Sequence, residues 1–194
     1  KNTWVDHTIS TLTMVVISVP SFVYAFLIQY FLSFKLGLFP FLMNAGNNFF
    51  TWSMFVSMLP AVLSLSFPVI AGFTRITRAE LTEVLTSEFM LLARTKGLTK
   101  TQATVRHALK NCMVVVLPAI FGEFIGIMSG SIIIEKIFAV PGVGSLYINS
   151  IDGRDYALFM LLTVFYTVIG LLAGIVVDIS YGFIDPRIRM GSKK

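Results

Sequence analysis

The sequence predicts an all-α, polytopic membrane protein, a helix bundle forming a single transmembrane domain over residues 1–194. Four observations predict it. Hydrophobic residues make up 56% of the chain and charged residues only 13%, where a soluble domain carries about 25% charge. The mean hydropathy is +0.82, the value of a chain that uses lipid as its solvent. Apolar stretches near residues 8–34, 53–73, 113–134 and 157–177 each supply the roughly 20 helical residues needed to cross ~30 Å of hydrocarbon. Finally, the basic residues alternate in density from one connecting segment to the next, as they do around membrane spans.

The first stretch is the longest, so its helix tilts or runs past the interface. Pro20, Pro60, Pro68 and Pro118 fall inside the spans. In a membrane bundle they act as kinks when neighbouring groups satisfy the freed backbone. Orientation follows from Lys and Arg. Residues 74–112 hold Arg75, Arg78, Arg94, Lys96, Lys100, Arg106 and Lys110, the tail holds Arg187, Arg189, Lys193 and Lys194, and the N-terminal flank holds Lys1. These are twelve of the 15 basic residues; only Lys35, Lys136 and Arg154 lie on the other side. The N-terminus, the loop 74–112 and the C-terminus are therefore expected in the cytoplasm, and residues 35–52 and 135–156 outside. The chain starts with Lys1 rather than Met and shows no secretory signal, so a processed piece or a fragment is expected.

The cytoplasmic loop reads as structured. Leu, Glu, Ala, Arg and Met, all good helix formers, dominate residues 78–98. Ser87 suits the start of a short helix over residues 87–96, and Gly97 suits its end, with Lys96 in the last turn. A second helix follows over 99–110 and leads into the third span. Helix, glycine turn and helix together make a compact protrusion that another protein could grip. Arg75, Arg78, Arg106 and Lys110 sit near span ends and read as topology determinants touching anionic lipid. Ala93, Arg94, Lys96 and Gly97 lie mid-loop, where docking is the better reading. In the outer segment 135–156, Pro141–Gly144 signals a turn, and Leu146, Tyr147 and Ile148 are expected at the interface or folded back into the protein.

Gly122, Gly126 and Gly130 recur every four residues and are expected on one face of the third span. Gly170 and Gly174 repeat the spacing in the fourth. Small residues so placed let helices approach closely, either for packing alone or as a sliding surface. Glu123 falls ten residues into the third span, ~15 Å deep at 1.5 Å per residue. A carboxylate there must be paired, hydrated or neutral, so a water-filled path and structural pairing both stand. Glu135 and Asp178 sit at span ends and are read as interfacial. The single Cys112 excludes an intrachain disulfide and reads as an apolar filler. Catalysis has no foothold: there is no GxxxxGK[ST], HExxH or GxSxG, and His7 and His107 are isolated. No catalytic residue, metal site or nucleic-acid partner is expected.

The stretch EFMLLARTKGLTKTQATVRHALKN at 88–111 resembles the permease subunits of ABC importers for peptides. Phe89, the run from Ala93 to Leu98 and the run from Arg106 to Asn111 carry the likeness. It continues in EKIFAVPGVGSL at 135–146, in Arg154, Asp155 and Tyr156, and in DPRIR at 185–189; upstream, SVPSF at 18–22, KLGLFP at 35–40 and RITR at 75–78 fit as well. The resemblance is to the peptide and nickel branch of this family, most of all to its B-type oligopeptide subunits. Such subunits have six spans, so the four present would be the last four, the others lying in a missing N-terminal part.

The resemblance implies a multi-pass subunit of the bacterial plasma membrane that imports oligopeptides and is not itself an enzyme. Its partners would be a second homologous permease, two cytosolic ATPase subunits that use ATP and magnesium, and an extracellular peptide-binding protein, all within membrane lipid. No cofactor would be bound directly. The loop helix would enter an ATPase groove as a coupling helix, through Glu88, Ala93, Arg94, Lys96, Gly97 and Leu98. Small Ala93 and Gly97 would permit close approach, and Arg94 and Lys96 would add charge-assisted contacts. Glu123, Gly126 and Gly130 are expected along the translocation path, and Glu135, Pro141, Gly142 and Gly144 at an external gate. Dipeptide, nickel or glutathione import remains open within the family. Outside it, a channel or secondary transporter without an ATPase, or a scaffold that moves nothing, remains open too.

Overall fold

The computed structural model describes residues 3–44, 46, 50–128 and 130–184. Lys1 and the C-terminal DPRIR motif with the basic tail lie outside the described residues, as do the side chains of Phe89 and Arg94. All regular elements among the described residues are helical. They are α1 (Trp4–Ser18), α2 (Ser21–Ile28) continuing as a π-helical segment (Gln29–Lys35), α3 (Trp52–Thr86) and α4 (Glu88–Thr95). Then come α5 (Lys100–Ala103), which runs through a π-helical segment (Thr104–Ala108) into α6 (Leu109–Met128), and α7 (Ile132–Phe138), α8 (Val143–Asp152) and α9 (Tyr156–Ile184).

The second and fourth apolar stretches lie in helices long and apolar enough to cross a membrane, Trp52–Thr86 and Tyr156–Ser180, and the third begins in such a helix, Lys100–Ile127, but runs past its end, its last residues opening α7. Pro60, Pro68 and Pro118 sit inside α3 and α6 without ending either helix. The first stretch departs from the single span expected over 8–34. There α1 and the run Ser21–Lys35 meet at 91°. Pro20 is the cause, because it has no N–H to give the Val16 carbonyl one turn back. The Tyr24 hydroxyl takes over, donating to the Val16 carbonyl at 2.9 Å, while its ring stacks on Phe67 with centroids 5.2 Å apart. Tyr24→Phe keeps the ring and leaves the carbonyl only the longer bond from the Val19 N–H, at 3.4 Å. It is expected to cost about 1 kcal/mol, read as a Tm lowered by about 2–4 °C in the purified full-length protein.

The segment 135–156 also departs from expectation. In place of a loop with a turn it holds most of α7 and all of α8, which meet at 98°. That pair passes the same test of length and apolarity as a broken span or a re-entrant hairpin. Among the described residues there are thus three candidate spanning helices, or up to five if each bent pair counts as one span.

By packing, the chain divides into two compact units: Lys1–Ser10, Phe73–Gly126 and Gly170–Lys194 in one, Thr11–Gly72 and Ile127–Ile169 in the other. In the second, Ala25, Ala61, Ile134 and Phe138 form the core, with Leu65, Ile137 and Val140 against it. Gln29, a polar residue in an apolar stretch, is buried there, and its amide donates to the carbonyls of Phe41 at 3.0 Å and Ile137 at 2.9 Å. The Met43 N–H donates to the Phe138 carbonyl at 2.8 Å. These bonds fix the chain after α2 along the end of α7, and they satisfy polar groups that lipid would leave unpaired. In the first unit, Met90, Ala93, Ala103 and Ala108 form the core, flanked by Leu81, Val84 and Leu98.

Candidate functional site

The segment after α3 folds as the sequence suggests, a short helix followed by a glycine turn and a second helix. α4 spans Glu88–Thr95. Gly97 follows it with φ +84°, the left-handed conformation that glycine adopts without a Cβ clash. Thr99 then caps α5 reciprocally. Its hydroxyl accepts from the Gln102 N–H at 3.3 Å, and the Gln102 side chain accepts from the Thr99 N–H at 3.1 Å. Ser87 behaves differently from the expected cap: its hydroxyl donates to the Val84 carbonyl at 2.7 Å, closing the last turn of α3.

The hairpin is seated by its own small residues. Ala93 is 6% exposed and packs with Met90 on Ala103 and Ala108, so its size serves contact within the chain. Among the described residues nothing lies within 4 Å of the position a Cβ would take on Gly97, so it is the backbone conformation that demands glycine there. Leu98 is half-buried against the same core. Glu88 and Lys96 are exposed. The outward face of α4 holds two residues that motif reasoning passed over: Leu91 and Leu92 are 60% and 56% exposed. Adjacent leucines on a polar, basic loop were the available signal.

A second constellation surrounds Glu135. The sequence placed this carboxylate at the interface; the structure buries it to 8% exposure. Glu135 Oε2 accepts from the Ser145 N–H at 3.2 Å, within the first turn of α8, whose N-cap is Gly142. The carboxylate thus reaches across the bend to cap α8, where unpaired N–H groups and the helix dipole favour an anion. Gly130, Gly142 and Gly144 close around it, and a Cβ on any of them would run into the carboxylate. The Ser145 hydroxyl donates to the Gly142 carbonyl at 2.7 Å, and Phe138 anchors α7 in the core at 1% exposure. Ala139 is held at φ +54° to make the turn, a conformation alanine adopts only under constraint. Pro141 is exposed on the outside of the turn. The motif EKIFAVPGVGSL therefore encodes a right-angled helical hairpin with a carboxylate at its hinge.

The expected glycine stripe is only partly realised. Gly130 lies beyond the end of α6 with φ +74°, so it does not share a helix face with Gly122 and Gly126. Gly122 faces Val177, 3.8 Å from where its Cβ would stand, whereas Gly126, Gly170 and Gly174 face open space. Glu123 is exposed on α6. Beside Gly130 a cleft of about 690 Å³ is lined by Ser131, Tyr147, Thr163, Tyr166 and Thr167 among others. The Tyr166 hydroxyl is buried without a hydrogen-bond partner among the described residues.

Apolar helices, two bent helix pairs and a folded hairpin between α3 and α6 define the class: an all-α, multi-pass membrane protein. A model of the binding-protein-dependent transport system inner membrane component family matches residues 1–190. The chain belongs to that family. It is 38% identical over 190 residues to a dipeptide transport system permease protein of Lactococcus lactis subsp. cremoris, covering 98% of this chain and 60% of that protein. It is 36% identical over 193 residues to a dipeptide transport system permease protein of Bacillus subtilis, covering 100% and 60%. To an oligopeptide transport system permease protein of Escherichia coli K12 it is 38% identical over 189 residues, covering 97% and 60%. The chain spans about 60% of the length of these relatives.

Proposed function

We propose that the protein is a transmembrane subunit of an ATP-driven peptide importer. The observation that carries the reading is the α4–α5 hairpin: a folded helix seated on the end of α3, with Leu91 and Leu92 turned outward, in a chain whose similar relatives bear peptide-permease names. Relatives named for dipeptides and for oligopeptides are equally identical at 38%, which supports peptides as the substrate class and favours neither length.

In this reading α4 enters a groove on a cytosolic ATPase subunit. Leu91 and Leu92 supply the apolar contact, and Arg94 and Lys96 supply charge. The partners are a second permease, two ATPase subunits that hold ATP and magnesium, and an extracellular peptide-binding protein. The hairpin lies in the cytoplasm with both ends of the chain, as the basic residues direct. The bend built on Glu135, Pro141, Gly142 and Gly144 acts as the external gate, and Glu123, Gly126 and Gly130 line the path between.

Affinity purification of the full-length protein from its native host tests this. The wild type is expected to bring down a second permease and ATPase subunits. Gly97→Val forces a β-branched residue to positive φ, at about 1–2 kcal/mol or more. It is expected to lower ATPase recovery about tenfold while the second permease is retained. ATPase recovery and peptide uptake both unchanged in Gly97→Val would sink the docking role.

A further inference from the structure

Arg78 reads in the sequence as a topology determinant, but the structure gives it a protein partner. Its guanidinium holds the Asp6 carboxylate in a fork, Nε donating to Oδ1 at 2.7 Å and Nη2 to Oδ2 at 3.0 Å. Asp6 lies in the first turn of α1, where the helix dipole also favours a carboxylate. The two side chains are 44% and 18% exposed. Ion pairs so open to solvent add little to folding stability. What a forked arginine–carboxylate pair does fix is geometry, since two parallel bonds set angle as well as distance.

The surroundings of Arg78 give that geometry a purpose. One residue earlier, the Thr77 carbonyl accepts from the Cys112 thiol at 3.7 Å, tying α3 to α6. Three and six residues later, Leu81 and Val84 pack against the core of the α4–α5 hairpin. Residues 77–84 of α3 thus hold α6 through Thr77, α1 through Arg78, and the hairpin through Leu81 and Val84. All of these groups lie in the same compact unit.

We propose that the Asp6–Arg78 pair is a strut that positions α1 on the hairpin-bearing end of α3, so that a displacement imposed on α4 reaches α1 together with α6. The proposal rests on the reading in which α4 docks an ATPase. Asp6 and Arg78 are positioning residues: they act through α1 and α3. The continuous chain and the core contacts carry α3 and α6 along with the hairpin; the strut ties α1 to the same end of α3.

The test uses the full-length protein with its second permease, ATPase subunits and binding protein in proteoliposomes, and measures peptide taken up per ATP hydrolysed. Asp6→Asn and Arg78→Gln are each expected to leave ATPase recovery and hydrolysis within about twofold of wild type while uptake per ATP falls about fivefold, the lower end of ordinary coupling between sites. The exchange Asp6→Arg with Arg78→Asp keeps the total charge and should restore the ratio to within about twofold of wild type. A wild-type ratio in both single variants, or an exchange no better than the singles, would overturn the strut. If the singles do not accumulate, the exchange decides: recovery of both accumulation and ratio supports the strut, and failure overturns it. Absence of ATP-dependent uptake in the wild type would instead overturn the functional reading beneath it.

Discussion

Gly144→Val is expected to prevent stable folding of the α7–α8 hairpin and to strip the protein of most of its resistance to heat. A Cβ at Gly144 would stand 2.8 Å from the Glu135 carboxylate and 2.9 Å from the Ile132 backbone. The carboxylate could swing aside, but the backbone cannot. Overpacking of this kind costs about 1–3 kcal/mol. Displacing Glu135 from the Ser145 N–H leaves a buried charge unpaired, for about 1–3 kcal/mol more. Together these come to about 2–6 kcal/mol, a large share of the stability of a typical protein, about 5–15 kcal/mol. Size-exclusion profiles of the detergent-solubilised full-length protein after a temperature series would show the effect. Gly126→Ala is the control, since its Cβ meets open space and alanine favours the helix by about 0.5–1 kcal/mol. A Gly144→Val protein as heat-resistant as wild type would show that Glu135 does not cap α8.

The second large effect is expected at the outer face of α4. Leu91→Asp with Leu92→Asp leaves the hairpin core of Met90, Ala93, Ala103 and Ala108 untouched, so the protein should still accumulate. Burying a leucine side chain contributes about 1.5–3 kcal/mol. Loss of two, if both enter an ATPase groove, weakens binding at least a hundredfold at about 1.4 kcal/mol per tenfold. Titration of the purified ATPase onto the reconstituted permease pair would measure it. Ala93→Leu makes the opposite comparison. It crowds a residue that is 6% exposed, so it should lower stability first and ATPase affinity only in consequence.

The sequence made the spanning helices legible because lipid imposes a simple rule, apolar runs of sufficient length, and α3, α6 and α9 obey it. The hairpin was legible because its signals are local: helix formers and the Gly97 break. What escaped depends on groups far apart in the chain. Pro20 announced a kink, but the 91° break is sustained by Tyr24 and the packing around it. Glu135 looked interfacial because depth was counted along the chain, and only the fold brings the α8 N-terminus to it. Ala93 and Gly97 were recognised as important for their small size, yet one packs against its own chain and the other serves its own backbone. Leu91 and Leu92 left a signal, two adjacent leucines on a basic loop, but only the fold shows that both face outward. Gln29 was overlooked, although a lone amide in a membrane-length apolar run is itself a sign of a buried polar contact.

The central claim is that ATP binding and hydrolysis in a separate subunit drive peptide movement through this protein by way of α4. Uptake of a labelled peptide into proteoliposomes tests it most directly, with the full-length protein, its second permease, the ATPase subunits and the binding protein all present. The account predicts uptake that requires ATP on the ATPase side and the binding protein on the other, and that falls below about one-tenth in Leu91→Asp with Leu92→Asp, in line with the expected loss of ATPase affinity. Uptake that proceeds without ATP along an ion gradient, or that is undiminished in that variant, would contradict it.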